Sequence, residues 1–313
     1  MSTWKLSIKP DSEKGREPFE LCRRKSLVAV GWSYIWDDEP NISTKDESYD
    51  VLRAKEKGYV PRTIERLLDE VKVNDLVWLH RNGKYFLCTI SDSIVVLGPQ
   101  IDKEFRSNDL GHARNARWVE VPEVLVPGRV QRSLIVSRTI QMMDCSKAQE
   151  AYFRYLHSQL SLNSDWFPDV NEDQVSERMH SITQQELRDI LTPDDYEDIV
   201  AAYLQSQGWT LVKSTCFRTK PEFEFRVVRS GPKYGHVQVK SGNVQLSPSQ
   251  YGKWVSDREC VFLFSTHLEP YTGPAVQGVN TISETEIMAW VADNPWVLSV
   301  GVMILIQLLP KAS

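Results

Sequence analysis

The chain has 313 residues, of which 41% are hydrophobic and 25% are charged, a composition that excludes disordered and fibrous proteins. Its length suggests two domains. The net charge of −5 excludes a nucleic-acid binder that depends on overall positive charge, so any DNA-binding face must be local.

Five cysteines are scattered along the chain, and none belongs to a Cys-x-x-Cys pair. An odd, scattered set favours a reducing compartment without structural zinc. Charged residues such as Lys5, Lys9 and Asp11 interrupt any apolar leader, so we expect a cytoplasmic protein that does not enter a membrane. The cysteines are Cys22, Cys88, Cys145, Cys216 and Cys260.

Residues 1–127 are predicted to form a mixed α/β domain rich in strands. Asn82-Gly83 separates two strand-like segments, 75–80 and 85–90, and is typical of a tight hairpin turn. The other predicted strands are 4–8, 26–32, 93–97 and 116–121, and the predicted short helices are 49–57 and 62–71.

Several short motifs in this region resemble the EVE-like branch of the PUA superfamily. They are Cys22, Gly31-Trp32 and Asn74-Asp75-Leu76-Val77, followed by the hairpin. The family more often has Gly-Asp where Asn74-Asp75 stands. The resemblance covers most of 1–127 and implies a small PUA/EVE-like barrel that binds modified bases or RNA.

Four tryptophans of this region offer the rigid planes on which a flipped or single-stranded base stacks: Trp32, Trp36, Trp78 and Trp118. The alternative for each is a place in the hydrophobic core. Trp32 and Trp36 follow a predicted strand in a polar loop, so we take this pair as the candidate base reader.

Residues 128–190 are predicted to be a helical connector. The helical patterns are 129–143 and 148–162, and 164–174 has the composition of a linker. Residues 144–190 contain four basic and nine acidic side chains, so this negative segment is not expected to contact DNA.

Residues 191–313 begin with a well-marked helix. Thr192 is the predicted N-cap, Pro193 suits the first helical position, and Asp195 completes a capping box. Gly208 is expected to end the helix, and the segment from Trp209 to Val212 is predicted to be a strand.

Two segments after this helix alternate polar and apolar residues and are predicted to be the arms of a hairpin: 221–225 and 236–242. In the first arm Glu222 and Glu224 share one face and Phe223 the other. Gln238 and Lys240 share a face of the second arm. Oxygen ligands beside a lysine are what a Mg²⁺-dependent phosphodiesterase requires.

The order of helix, Gly-Trp, strand, acidic arm and Gln-x-Lys arm resembles the Mrr-type restriction endonucleases of the PD-(D/E)xK superfamily. The Gln-x-Lys arm is Gln238-Val239-Lys240, and Tyr196-Glu197 matches the aromatic-Glu pair that the family carries in its first helix. The family usually has Asp at the metal position of the hairpin, where this chain has Glu.

The resemblance implies a role for each matched residue. Glu224, with Glu222 as the alternative, would hold Mg²⁺ or Mn²⁺ together with the Gln238 side chain and the Val239 backbone carbonyl. Lys240 would orient or activate the attacking water, and Glu197 would help through a water molecule. These roles are catalytic, and the implied cofactor is the metal ion.

The apolar segment 295–309 is too short for a membrane helix, which needs about 18 residues. It is predicted to be a buried terminal helix or a dimer surface.

Together these features predict an α/β protein in which a restriction-endonuclease-like core with a mixed sheet, 191–313, follows a PUA/EVE-like barrel domain. We expect a homo-oligomeric DNA endonuclease of restriction or antiphage-defence type that recognises modified or phage DNA. Two alternatives remain: a nuclease-fold protein that binds nucleic acid with weak or no cleavage, and an RNA-directed nuclease.

Overall fold

The computed structural model describes residues 2–8, 17–35, 42, 44–97, 103–135, 139–216, 222–231 and 233–309. The chain forms two compact units, Met1–Val126 with Val130–Phe167, and Pro127–Arg129 with Pro168–Ser313. Each unit contains a mixed sheet with helices, so the predicted α/β class is confirmed. Residues 128–190, predicted to be a connector, are distributed over both units.

The sheet of the first unit has six strands in the order β2-β5-β4-β3-β1-β6. Strands β1 and β3 are parallel, and the other neighbours are antiparallel. The strands are β1 Thr3–Leu6, β2 Leu27–Val30, β3 Leu76–Arg81, β4 Lys84–Leu97, β5 His112–Val121 and β6 Ile140–Met143. Asn82 and Gly83 have φ of +51° and +74°, the left-handed backbone that the predicted hairpin turn requires.

Six helices accompany this sheet: α1 Pro18–Arg24, α2 Lys45–Lys55, α3 Arg62–Glu65, α4 Lys103–Ser107, α5 Gly128–Ile135 and α6 Lys147–Leu162. Helix α6 packs on the sheet, where Phe153 meets Trp78 edge-on with ring centroids 5.3 Å apart. Its neighbour Tyr152 donates a hydrogen bond to the Leu125 carbonyl oxygen at 2.9 Å.

The prediction of one helix over 129–143 was wrong at its second half. Helix α5 ends at Ile135, and Ile140–Met143 forms strand β6. This strand pairs antiparallel with β1, with Ile140 opposite Leu6. Pairing with a distant strand therefore overrides the local helical pattern.

The sheet of the second unit has five strands in the order β11-β10-β9-β8-β7. Strands β7, β8 and β9 are antiparallel, whereas β9, β10 and β11 are parallel. The strands are β7 Thr210–Leu211, β8 Phe225–Arg229, β9 Lys233–Lys240, β10 Glu259–Ser265 and β11 Val279–Ile282. The helices are α7 Glu172–Met179, α8 Gln184–Ile190, α9 Pro193–Ser206, α10 Pro248–Tyr251, α11 Glu284–Asp293 and α12 Val300–Leu308.

Helix α9 begins as predicted. The Thr192 hydroxyl accepts a hydrogen bond from the Asp195 backbone N–H at 3.1 Å, and the Asp195 carboxylate accepts one from the Thr192 N–H at 2.7 Å. Gly208, with φ of +83°, follows the end of the helix. The short-range capping signals therefore fix this helix.

Helix α9 and helix α10 pack on opposite faces of the five-stranded sheet. Tyr196 of α9 lies against Phe264 of β10, with ring centroids 5.6 Å apart. Leu263, the neighbour of Phe264 on β10, points to the other face, where Tyr251 of α10 packs. Gln238 pairs with Leu263, so the Gln238 side chain lies on the α10 face.

The apolar terminal segment forms helix α12, and residues Gly301 to Ile306 are buried, which favours the buried-helix alternative. Within the described residues, every helix is too short or too polar to cross a membrane.

Candidate active site

The pairing of β8 with β9 begins next to Glu224. Phe225 pairs with Val237, and the Glu224 N–H, one residue before β8, donates to the Val237 carbonyl oxygen at 2.9 Å. The backbone of Glu224 is thus held against β9 although the residue precedes the strand.

Three of the predicted site residues meet at one carboxylate oxygen. Lys240 Nζ donates to Glu224 Oε1 at 2.8 Å, and Gln238 Nε2 donates to the same oxygen at 3.3 Å. The Glu224 and Lys240 side chains are 16% and 34% exposed, so the ion pair is partly shielded yet open to a ligand. The structure therefore brings together a carboxylate, an amide and an ammonium group.

The Gln238 side chain is 1% exposed, and its Oε1 has no hydrogen-bond partner among the described residues. A buried polar oxygen without a partner costs about 1–3 kcal/mol, so a bound cation would relieve this cost.

The backbone of β9 offers a third oxygen. Val237 directs its carbonyl to β8, because this oxygen accepts from the Glu224 N–H. Carbonyls two residues apart on a strand point to the same side. The Val239 carbonyl therefore points toward the Glu224 edge, and the three oxygens suit a hard cation.

The described residues contain no group of three or more His, Cys, Asp or Glu side chains that could hold a metal. A metal at Glu224 would therefore depend on neutral oxygens as well as on one carboxylate. Such a site binds a divalent cation more weakly than one with two carboxylates.

The end of β9 is fixed by its neighbour strand. The Thr266 N–H donates to the Lys240 carbonyl oxygen at 3.1 Å, and the Gly242 N–H donates to Thr266 Oγ1 at 2.8 Å. Gly242 has φ of +81°, a conformation that disfavours other residues. These contacts hold the Lys240 backbone in place before any ligand binds.

An aromatic wall lies next to the cluster. The Phe223 ring packs on His236 with centroids 4.7 Å apart, and Trp254 and Tyr251 pack on Phe223. The prediction that Phe223 lies opposite the glutamate face was wrong, because β8 begins only at Phe225 and strand alternation does not extend back to Phe223.

Sequence reasoning placed His236 on the same face as Gln238 and Lys240 but missed Tyr251 as a neighbour of the site. His236 is buried, and its Nε2 lies 3.2 Å from Glu259 Oε1. Burial raises the pKa of Tyr251, and Glu222 and Glu224 raise it further, which places this phenol near both carboxylates. Tyr251 lies on another element, helix α10, so no strand periodicity indicated its position.

The two other predicted acids lie in different surroundings. Glu222 is exposed. Glu197 lies on helix α9, which packs on the face opposite Gln238, and there it raises the pKa of Cys216 after burial, the largest cause. The roles predicted for Glu222 and Glu197, as an alternative metal ligand and as a water-mediated helper, stay predictions.

In the first unit, Trp32 is half-buried, has φ of +64° and packs against the hydrophobic core. Trp36 lies outside the described residues. Trp78 is fully buried, and Trp118 donates its indole N–H to the Leu27 carbonyl oxygen at 3.1 Å, so these two belong to the scaffold.

Asp109 supports the segment after Trp32, because its carboxylate accepts from the Ser33 N–H and hydroxyl at 2.9 and 3.0 Å. A hollow of about 180 Å³ lies beside Gly31 and Asp109. Asp109 is far from Trp32 in the sequence, and nothing local indicated this contact.

Solved structures that resemble this chain include the DNA modification-dependent restriction endonuclease AspBHI, with 12% identity and a TM-score of 0.23 over 74% of this chain and 67% of that chain. Another is the MspJI restriction endonuclease in complex with a 27-mer oligonucleotide, with 12% identity and a TM-score of 0.26 over 99% of this chain and 80% of that chain. No family model matches the chain, and no curated protein matches it. Identity and TM-score are low in both cases, so neither likeness fixes the function of this chain.

Proposed function

We propose that the chain is a metal-dependent DNA endonuclease of restriction or antiphage-defence type. The observation that carries this proposal is the contact of Lys240 Nζ and Gln238 Nε2 with one oxygen of Glu224. Beside it lies the buried Gln238 Oε1, which has no hydrogen-bond partner among the residues that the structure describes. Hydrolysis of a phosphodiester requires a hard metal ligand set and a nearby cation, and this cluster supplies both.

In this proposal Glu224, Gln238 Oε1 and the Val239 carbonyl hold Mg²⁺, with Mn²⁺ as the other suitable ion. The bound ion supplies Lewis acidity and lowers the pKa of a water molecule. Glu222 is the alternative carboxylate ligand, and Glu197 is proposed to act through water.

Lys240 has two roles. Without substrate its ammonium group neutralises Glu224 at 2.8 Å. With substrate it orients the attacking water and offsets the negative charge that develops on the phosphate. Because the Lys240 backbone is fixed by Thr266, the ammonium group works from a rigid base.

The choice of DNA rests on the resemblance of the motif order to the Mrr-type enzymes. A catalytic core that contacts backbone phosphate obtains little sequence information, so selectivity requires a separate reader. We assign that role to the first unit, with Trp32 and Trp36 as candidate walls for a modified base. A homo-oligomer would present two catalytic sites to the two strands of a duplex.

The proposal is tested by incubating the full chain with plasmid containing ordinary or modified cytosines, and with RNA, in Mg²⁺, Mn²⁺ or EDTA. Lys240→Ala should reduce cleavage about 10²–10⁴-fold, the usual contribution of a positioned proton-transfer group. Its binding of DNA should stay nearly unchanged. Lys213→Ala, which removes an exposed cation elsewhere in the same unit, is the matched control.

Each alternative has its own outcome. Binding of DNA without cleavage by the wild-type chain in any metal would identify a nuclease-fold binding protein. Cleavage of RNA alone would identify an RNA-directed nuclease, and equal cleavage by Lys240→Ala and the wild-type chain would remove Lys240 from the mechanism.

A further inference from the structure

The second unit has a large hollow at the end of its sheet opposite Lys240. Residues at the beginnings of β9 and β10 line this hollow, among them Lys233, the first residue of β9. Its volume is about 660 Å³. Strand β9 has eight residues. At about 3.3 Å per residue, its two ends are roughly 20 Å apart, so this hollow is separate from the proposed catalytic cluster.

Three cationic side chains line the hollow: Arg229, Lys233 and Arg258. All three are exposed, and within the described parts of the chain none of them forms an ion pair. This local positive charge contrasts with the net charge of −5 for the whole chain. Three cations in one concavity, more than the carboxylates that line it, favour an anionic ligand.

The acidic side chains of the same wall do not cancel this charge. Asp257 and Glu259 also line the hollow. The Glu259 carboxylate is already occupied, since it contacts His236 Nε2 at 3.2 Å and accepts from the Ser256 hydroxyl at 3.3 Å. Three cations against two carboxylates leave the wall positive.

An aromatic platform adjoins the cations. The Arg229 guanidinium lies 5.9 Å from the centroid of the Trp209 ring, and Trp209 meets Phe262 edge-on with centroids 5.2 Å apart. Trp209 and Arg229 also line a second hollow of about 340 Å³. Indole and guanidinium groups are both planar groups on which nucleobases stack.

We propose that this hollow binds a nucleoside phosphate, with the base stacked on the Trp209–Arg229 platform and the phosphate held by Lys233 and Arg258. The volume lies within the roughly 300–1,000 Å³ of small-molecule sites. A planar aromatic wall next to unpaired cations matches a ligand that joins a base to a phosphate. Inorganic phosphate would use only the cations.

Two sources can present this chemistry, a free mononucleotide and the phosphorylated end of a single strand. The site is independent of the proposed cleavage reaction, because its residues lie at the other end of the strands. It would serve as an effector or strand-end site rather than as the reacting centre.

The test is calorimetric titration of the full chain in EDTA, which excludes metal-dependent cleavage. The probes are AMP, CMP, adenosine, inorganic phosphate and a 5′-phosphorylated oligothymidylate. We expect a mononucleotide to bind at least tenfold more tightly than adenosine or phosphate alone. If the 5′-phosphorylated oligothymidylate binds more tightly than the mononucleotides, the natural ligand is a strand end. If it binds equally or more weakly, the natural ligand is a free nucleotide.

Arg229→Gln should weaken nucleotide binding at least tenfold, and Arg229→Lys should not restore it, because lysine has no planar group to stack. Arg229 is exposed, so the variant should fold, and its melting temperature checks this. Lys213→Gln is the matched control for charge. Phosphate that binds as tightly as the nucleotide, or binding that Arg229→Gln leaves unchanged, would overturn the proposal.

Discussion

Replacing Gln238 by Glu puts a second carboxylate beside Glu224 and tests whether this position faces a metal. The new oxygen would take the place of an amide nitrogen that lies 3.3 Å from Glu224 Oε1. Two negative charges at this distance repel by about 5 kcal/mol at an effective dielectric constant of about 20. Gln238 is 1% exposed, so water screens this repulsion little.

Protonation sets an upper limit to the cost. Protonating a glutamate with an ordinary pKa of about 4.3 at pH 7 costs about 4 kcal/mol of free energy. The new carboxyl can therefore avoid the repulsion at that cost, and the loss of unfolding free energy does not exceed it. Lys240 offsets part of the repulsion, and we expect Gln238→Glu to lose about 2–4 kcal/mol of unfolding free energy at pH 7. The raised pKa of the new carboxyl means that the loss vanishes below about pH 4 and grows as the pH rises.

Thermal melts of the full chain at pH 5 and pH 7, in EDTA and in Mg²⁺, measure this effect. In EDTA the melting temperature should fall by several degrees at pH 7, since 1 kcal/mol corresponds to roughly 2–4 °C in a domain of this size. Mg²⁺ should reverse the loss, because Glu224 and the new carboxylate would hold the cation and its charge would offset their repulsion. Gln205→Glu adds the same charge at an exposed position of helix α9 and is the control. If Mg²⁺ stabilises Gln238→Glu no more than the wild-type chain, Gln238 does not face a metal.

Three further predictions follow from other contacts. Glu224→Gln should lose Mg²⁺-dependent cleavage and calorimetric metal binding far more than Glu222→Gln, and the reverse ranking would move the metal ligand to Glu222. Trp32→Ala and Trp36→Ala in the full chain should weaken binding of modified duplex by the roughly 1–3 kcal/mol of a lost base stack, and equal binding of modified and unmodified duplexes by the wild-type chain would reject the base reader. Burial lowers the pKa of His112 to about 4, so the first unit should lose about 3 kcal/mol of stability as the pH falls from 6.5 to 4. His112→Gln should flatten that profile in thermal melts, and an unchanged profile would assign the acid sensitivity to other groups.

The helix and hairpin that frame the site were predictable because their signals are local. Thr192 and Asp195 are three residues apart and bond each other in the structure. Gln238 and Lys240 are two residues apart, so strand periodicity alone puts them on one face. Their meeting with Glu224 also depended on the hairpin, and the turn signals between the arms indicated it.

Contacts that depend on packing between distant elements were not predictable. The position of Phe223 depends on where β8 begins, and the strand pattern did not reveal that its pairing starts at Phe225. Strand β6 needed β1 as a partner, and β1 is more than a hundred residues away in the sequence. The cationic hollow likewise joins Arg229, Lys233 and Arg258 from the ends of different strands.

Residue 224 is Glu where the Mrr-type enzymes, which the motif order resembles, usually have Asp. Glu224 stands one residue before β8, and among the described residues its backbone N–H bonds to the Val237 carbonyl, outside the strand ladder. A carboxylate at this looser position must extend farther to reach a group fixed on the neighbouring strand. The extra methylene of Glu spans that gap, and its Oε1 reaches Lys240 Nζ at 2.8 Å. Lys240 itself stands on β9, the central strand of the sheet, with neighbours on both sides. The rigid strand therefore positions the ammonium and the amide, while the longer acid reaches toward them.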